Sequence, residues 1–190
     1  MVKTVAIYGG SFNPPTLGHL VAIINLQLTN PDISQIIIVP CFAQIGKELE
    51  SFNDRVAMCR LAFGYLNNIS ISTIESELHF GGESLSYRLV QRFKEQNPDT
   101  NFRFVLGADL KDSYKSWQGS DIIDKLALPI IIPRAGFTGN IAEDNVEFPN
   151  VSSTMVRNAY VDRDFNIVDR LLCKEVSQYI EANDLFDLRF

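Results

Sequence analysis

Short apolar runs alternate along this chain with longer stretches in which apolar residues recur at helical spacing, the pattern of a parallel sheet covered by helices on both faces. It predicts strands over residues 4–8, 35–39, 69–74, 102–106 and 128–132. Helices are predicted over residues 17–28, 53–66, 84–96, 120–126, 154–160 and 174–182. The fold class is therefore α/β, a doubly wound, mostly parallel sheet flanked by helices with a small C-terminal helical part. The whole chain, 1–190, is expected to be one domain, with residues 151–190 as that helical part. No internal repeat or low-complexity segment interrupts it.

Open sheets of this kind bind ligands at the carboxyl ends of their strands. Polar residues should therefore gather after each strand. The first strand runs into GGSFNPPTLGH, a turn rich in Gly and Pro, and then a helix whose apolar residues Leu17, Leu20, Val21, Ile24 and Leu28 recur at helical spacing. Thr16 and His19 stand three apart at that helix's start, beside its unpaired N–H groups and partial positive charge, where phosphate binds readily. Thr is also an ordinary helix cap, so the same pair fits a plain helix start. The second strand leads to a polar loop with Lys47 and a helix with Arg55, the fourth to Asp109, the fifth to Arg134, and VSSTMVR puts Arg157 in the first turn of another helix. Asp109 and either Ser152 or Ser153 also read as helix caps. Neither GxGxxG nor GxxxxGK[ST] is present in the chain.

Composition narrows the chemistry. A formal charge of −6 with no Lys/Arg-dense tract argues against a nucleic-acid polymer as partner. The apolar runs are too short to span a bilayer and no basic, then apolar, leader opens the chain, which predicts a cytoplasmic protein without membrane attachment. Cys41, Cys59 and Cys173 are widely separated and lack CxxC spacing, so they read as reduced, structural residues. Glu75, Glu77, His79 and Glu83 cluster before one helix without metal-ligand spacing, and the reading is a solvated loop with no metal site.

GGSFNPPTLGH resembles the signature of the nucleotidylyltransferase superfamily, a His or Thr, two residues and then a His after a Gly-rich turn. RVAMCRLAF, GAD with Trp117 eight residues beyond Asp109, IIPRAGF, SSTMVR and the closing VSQYIEANDLF extend the resemblance over nearly the whole chain. Their order and spacing are similar to the nicotinate (nicotinamide) mononucleotide adenylyltransferases, which implies a Rossmann-like sheet. Three departures stand out: Thr16 where nicotinate-type members usually have His, Asn13 where Asp is common, and Phe186 for a final Tyr.

The resemblance implies transfer of AMP from ATP to nicotinate mononucleotide, with release of pyrophosphate, in NAD biosynthesis. Nicotinamide mononucleotide, another acceptor such as phosphopantetheine, or a nucleotide-binding module without catalysis are the alternatives. It assigns catalysis to His19, Thr16, Lys47 and Arg157. ATP would be held by Gly9, Gly10, Ser11, Phe12, Gly18, Asp109, Ser153 and Thr154, and the mononucleotide by Asn13, Ser84, Ser86, Trp117 and Arg134. Arg55 would anchor the loop before it. Mg²⁺ is expected to arrive on the ATP phosphates, the partners being ATP and a pyridine mononucleotide, with a homo-oligomer left open.

Overall fold

Five parallel strands run through the middle of the computed structural model, which describes residues 3–44, 46–78, 85–134 and 149–186. In chain order, β1 (Thr4–Gly10) passes through α1 (Leu17–Thr29) to β2 (Ile33–Pro40), and α2 (Phe52–Phe63) leads to β3 (Ile69–Ile71). The short α3 (Glu75–Leu78) and then α4 (Ser86–Gln96) bring the chain back to β4 (Asn101–Gly107). A 3-10 turn at Ala108–Leu110, α5 (Lys111–Tyr114) and α6 (Ser120–Leu126) precede β5 (Ile130–Ile132), and α7 (Ser153–Val161), α8 (Phe165–Leu171) and α9 (Lys174–Ala182) follow.

The spatial order is β3-β2-β1-β4-β5, so the chain steps outward from β1 on one side and later returns to its other side. β1 pairs with both β2 and β4, with Ile7 opposite Ile37 and Phe104. The reversal of direction makes the carboxyl ends of β1 and β4 the open crevice of the sheet. Side chains of β1 alternate between two cores, Ala6 facing the α1, α2 and C-terminal side and Val5 and Ile7 facing α4 and α6. Burial on both faces explains why this strand reads as a continuous apolar run.

Most predicted elements are present with shifted ends. The helix over 53–66 stops at Phe63, with Gly64 as its cap, and the strand over 69–74 keeps only Ile69–Ile71. The strand over 128–132 begins at Ile130. Three short helices, α3, α5 and α8, are additional. The apolar face of α1 is also rotated from the predicted stripe: Ala22, Ile23 and Leu26 are buried, while Leu28 is 77% and Ile24 44% exposed. An almost wholly apolar helix carries little periodic contrast, so packing chooses its inner face.

Two close approaches require glycine. A Cβ on Gly18 would lie 2.8 Å from the Val151 carbonyl oxygen, so its absence lets the start of α1 lie against the segment entering α7. Gly119, at φ +73° before α6, would drive a Cβ to 2.4 Å from Cγ of Tyr87 on α4. Gly119→Ala therefore combines a left-handed backbone with a steric clash, and is expected to lower stability by about 2 kcal/mol. Urea unfolding measures this.

Candidate active site

The crevice is a cleft of about 920 Å³ walled by the β1 turn, the loop after β2, the ends of β4 and β5 and the start of α7. Its floor near β1 is shaped by Phe12, only 1% exposed and held at φ +46°, which packs on Phe63 and on the imidazole of His19 at 5.1 Å between ring centres. Holding a bulky residue in that backbone region requires support from packing on several sides.

Thr16 occupies the N-cap position of α1, and its backbone N–H donates to Nδ1 of His19 at 3.0 Å. A ring nitrogen that accepts from a backbone N–H carries no proton, so the imidazole proton resides on Nε2. Burial, aided by the positive charge of Arg134, pushes the His19 pKa down to about 4. The ring is therefore a neutral hydrogen-bond donor near pH 7. Thr16 itself is 3% exposed and stands behind His19, its hydroxyl 2.9 Å from Nδ1, instead of lining the cleft.

The two turns are fastened together by Arg55 of α2. Its guanidinium is 1% exposed and donates to four carbonyl oxygens: Glu50 at 2.9 Å, Ser11 at 2.9 Å, Cys41 at 2.7 Å and Phe42 at 3.1 Å. Arg55 thus anchors the loop, as expected, and does not face the cleft. That loop lays Lys47 on the cleft wall, exposed, and Gln44 beside it accepts from the Ser11 hydroxyl at 2.6 Å.

Across the cleft, Asp109 sits in the 3-10 turn after β4 and pairs with Arg134 at the end of β5, Oδ2 to Nη1 at 2.6 Å. Its carboxylate faces Arg134 instead of capping a helix. The other oxygen, Oδ1, is buried with no partner among the described residues, an acceptor available to a ligand hydroxyl. Trp117 is half-buried between α5 and α6, edge-on to Tyr114 at 5.6 Å. Tyr114 is tied down through its hydroxyl to Asp124 and the Ser120 carbonyl oxygen.

On the fourth side, Ser152 caps α7 by accepting from the Met155 N–H, which frees Ser153 to donate its hydroxyl proton to the Pro14 carbonyl at 2.7 Å. Arg157 falls in the second turn of α7 and not the first, because the helix starts at Ser153. It donates to the Asn13 carbonyl oxygen at 2.7 Å and to Thr154 Oγ1 at 3.1 Å. The N-termini of α1 and α7 are thus bound to one turn, and their N–H groups and a guanidinium offer a cradle for phosphate.

The cleft brings together Gly9, Gly10, Ser11, Phe12 and Asn13 with Gly18, His19, Lys47 and Ser86, and faces them with Asp109, Trp117, Arg134, Ser153, Thr154 and Arg157. Asn13 is 3% exposed, with Oδ1 accepting from the Glu50 N–H at 3.0 Å. Ser84, His79 and Glu83 lie outside the described residues, whereas Glu75 is not in a solvated loop as expected: it starts α3, is 4% exposed and lines the cleft. Sequence reasoning passed over Tyr8, whose ring lies 6.4 Å from that of His19, and Gln44. Position was the available signal, since both flank strand ends already singled out. Cys41, Cys59 and Cys173 are all unbridged, and Cys41 forms part of the cleft wall.

Comparison with known proteins gives one consistent answer. Residues 7–159 match the cytidylyltransferase-like family model. A protein of Anaeromyxobacter dehalogenans named "Probable nicotinate-nucleotide adenylyltransferase" is 32% identical, covering 97% of each chain. The nicotinate-nucleotide adenylyltransferase of Bacillus subtilis is 29% identical over 98% of this chain and 100% of its own. The structure of the Plasmodium falciparum nicotinic acid mononucleotide adenylyltransferase complexed with NaAD superposes with a TM-score of 0.85 at 25% identity, covering 97% of this chain and 98% of that one.

The depressed pKa of His19 carries a stability signature. The unfolded chain takes up a proton near pH 6.5, whereas the folded chain does so only near pH 4. The neutral ring's contribution is therefore complete above the first value and is lost as pH falls toward the second. Unfolding free energies of wild type and His19→Gln, compared from pH 8 to pH 4, should show a difference that is flat above about pH 7.5 and moves against the wild type below about pH 6.5.

Proposed function

Since this chain belongs to the cytidylyltransferase-like family, we propose that it is a nicotinate-nucleotide adenylyltransferase, moving AMP from ATP to nicotinate mononucleotide with release of pyrophosphate, in NAD biosynthesis. The observation that carries the reading is the meeting, in one cleft, of a neutral His19, the Arg157 guanidinium and the Asp109–Arg134 pair. Relatives named for this activity and a structural neighbour complexed with NaAD support it.

The mechanism follows from the groups present. The acceptor's phosphate oxygen attacks the α-phosphorus of ATP, forming the new P–O bond as the bond to the pyrophosphate oxygen breaks. A phosphate monoester with a second pKa of about 6 is largely dianionic at neutral pH and needs no general base. The protein's task is then placement and charge stabilisation. His19 Nε2–H would donate to an α-phosphate oxygen, strengthening as negative charge grows there. Arg157, Ser153, Thr154 and the helix starts would receive the β- and γ-phosphates, with Lys47 closing from the loop. Gly9, Gly10, Ser11, Phe12 and Gly18 would pass the backbone close to ATP.

Asp109 Oδ1, buried and unpartnered among the described residues, suits a ribose hydroxyl. Trp117 would stack on the pyridine ring, with Asn13, Ser84, Ser86 and Arg134 completing the mononucleotide side. Thr16 acts in this reading by orienting His19. No group of three His, Cys, Asp or Glu side chains among the described residues is placed to hold a metal. Mg²⁺ would be carried mainly by the triphosphate, where it would neutralise the departing pyrophosphate.

The reading takes residues 1–190 as one catalytic unit with 151–190 as its helical part, working in the cytoplasm; three unbridged cysteines suit a reducing compartment. No helix of the described residues is long and apolar enough to cross a membrane.

Pyrophosphate release should be followed with ATP, Mg²⁺ and, in parallel, nicotinate mononucleotide, nicotinamide mononucleotide and phosphopantetheine. The first should be turned over with the highest kcat/KM; equal or absent turnover of all three would sink the assignment. His19→Ala should lower kcat by about a hundredfold with a smaller change in KM. Trp117→Ala should mainly raise the KM for the mononucleotide.

A further inference from the structure

The turn that follows α9 is fastened through the Glu50 side chain to the segments that wall the cleft. Helix α9 ends in a Schellman motif: the Leu185 N–H donates to the Ile180 carbonyl at 3.1 Å and the Asp184 N–H to that of Glu181, with Asp184 left-handed at φ +50°. This turn folds the chain back. It buries Leu185 and Phe186 at 8% exposure each and stacks the Phe186 ring on Tyr160 of α7, centres 6.1 Å apart. The Phe186 N–H then donates to Oε1 of Glu50 at 2.8 Å.

Glu50 is the residue on which three separate fastenings meet. Its N–H donates to Asn13 Oδ1 at 3.0 Å, and its carbonyl oxygen accepts from Arg55 Nε at 2.9 Å. Its side chain reaches the C-terminal turn. Asn13 in turn accepts from Arg157 through its carbonyl oxygen, and Arg55 also holds Ser11 and Cys41. A second tie joins the same regions, Tyr179 of α9 donating to Asp54 Oδ1 in the first turn of α2 at 2.9 Å.

We propose that Glu50 is a positioning residue, whose carboxylate couples the C-terminal turn at Leu185–Phe186 to the turn at Ser11–Asn13. The C-terminal turn thereby becomes part of the scaffold that holds the phosphate-binding groups in register. Glu50 touches neither substrate. It acts by limiting how far the loop carrying Lys47 and the turn carrying Asn13 can move apart. The carboxylate's role is to accept one N–H, so an amide oxygen in its place serves equally.

This inference rests on the adenylyltransferase reading for its kinetic arm only. Glu50→Ala and Glu50→Gln are to be compared with wild type by steady-state kinetics and by hydrogen exchange of the unliganded proteins. Glu50→Ala should lower kcat/KM for ATP by about tenfold, the loss of one charge-assisted hydrogen bond. Glu50→Gln should keep at least about half of wild-type kcat/KM. Amides of residues 11–13 and 46–50 should exchange faster in Glu50→Ala and at the wild-type rate in Glu50→Gln. Unchanged exchange in Glu50→Ala overturns the proposal even if the protein turns over none of the substrates named above. Kinetics of Glu50→Ala within about twofold of wild type, or equal impairment of Glu50→Gln, overturn it as well. Wild-type inactivity on every acceptor would instead remove the adenylyltransferase reading, leaving the coupling to be decided by exchange alone.

Discussion

A cation buried without a carboxylate partner among the described residues is the constraint around which this site is assembled. Arg55 is 1% exposed, and leaving a guanidinium there unpaired would cost several kcal/mol. Four carbonyl oxygens offset that cost, and they come from the β1 turn, both ends of the loop after β2 and nowhere else. Satisfying the charge therefore fixes the distance between the two segments that wall this part of the cleft. Burial weakens the arginine's hold on its proton, and it is the array of carbonyl dipoles that makes the charged form tolerable.

The same economy of partners recurs at the turn after β1. Backbone carbonyls of Ser11, Asn13 and Pro14 cannot be satisfied by helix or sheet, and each is taken by a side chain from elsewhere: Arg55, Arg157 and Ser153. Side chains on α2 and α7 thus do for this turn what a ladder does for a strand. The turn is held rigidly enough for its N–H groups to be presented to an anion.

Electrostatics then divides the cleft. On one side His19 is kept neutral by burial and by the N–H of Thr16, so that it contributes a directed donor and no fixed charge. The opposite side carries the Asp109–Arg134 pair, in which one carboxylate oxygen stays open and the arginine's charge also helps to disfavour a protonated His19. Besides Arg134, the positive groups facing the cleft among the described residues are Lys47, from the loop after β2, and Arg157, from α7. A chain with a formal charge of −6 can in this way bind an anion by local arrangement alone.

Much of this was legible from local pattern. Continuous apolar runs determined the buried parallel strands, Gly and Pro determined the turn after β1, and the binding of ligands at strand carboxyl ends implied that the polar groups after the strands would gather at one site. The four-residue α3 and α5 escaped notice because a single turn has no period to detect; α8, of seven residues, was signalled only by Asp164, whose side chain caps it. Tertiary structure alone decided that Thr16 would stand behind His19, that Asn13 would spend Oδ1 on Glu50, and that Phe186 would reach back to that same glutamate. These bonds join residues up to 136 positions apart. Which of many polar side chains satisfies a given carbonyl or N–H depends on how helices pack against the sheet, and that choice is made only when the chain closes on itself.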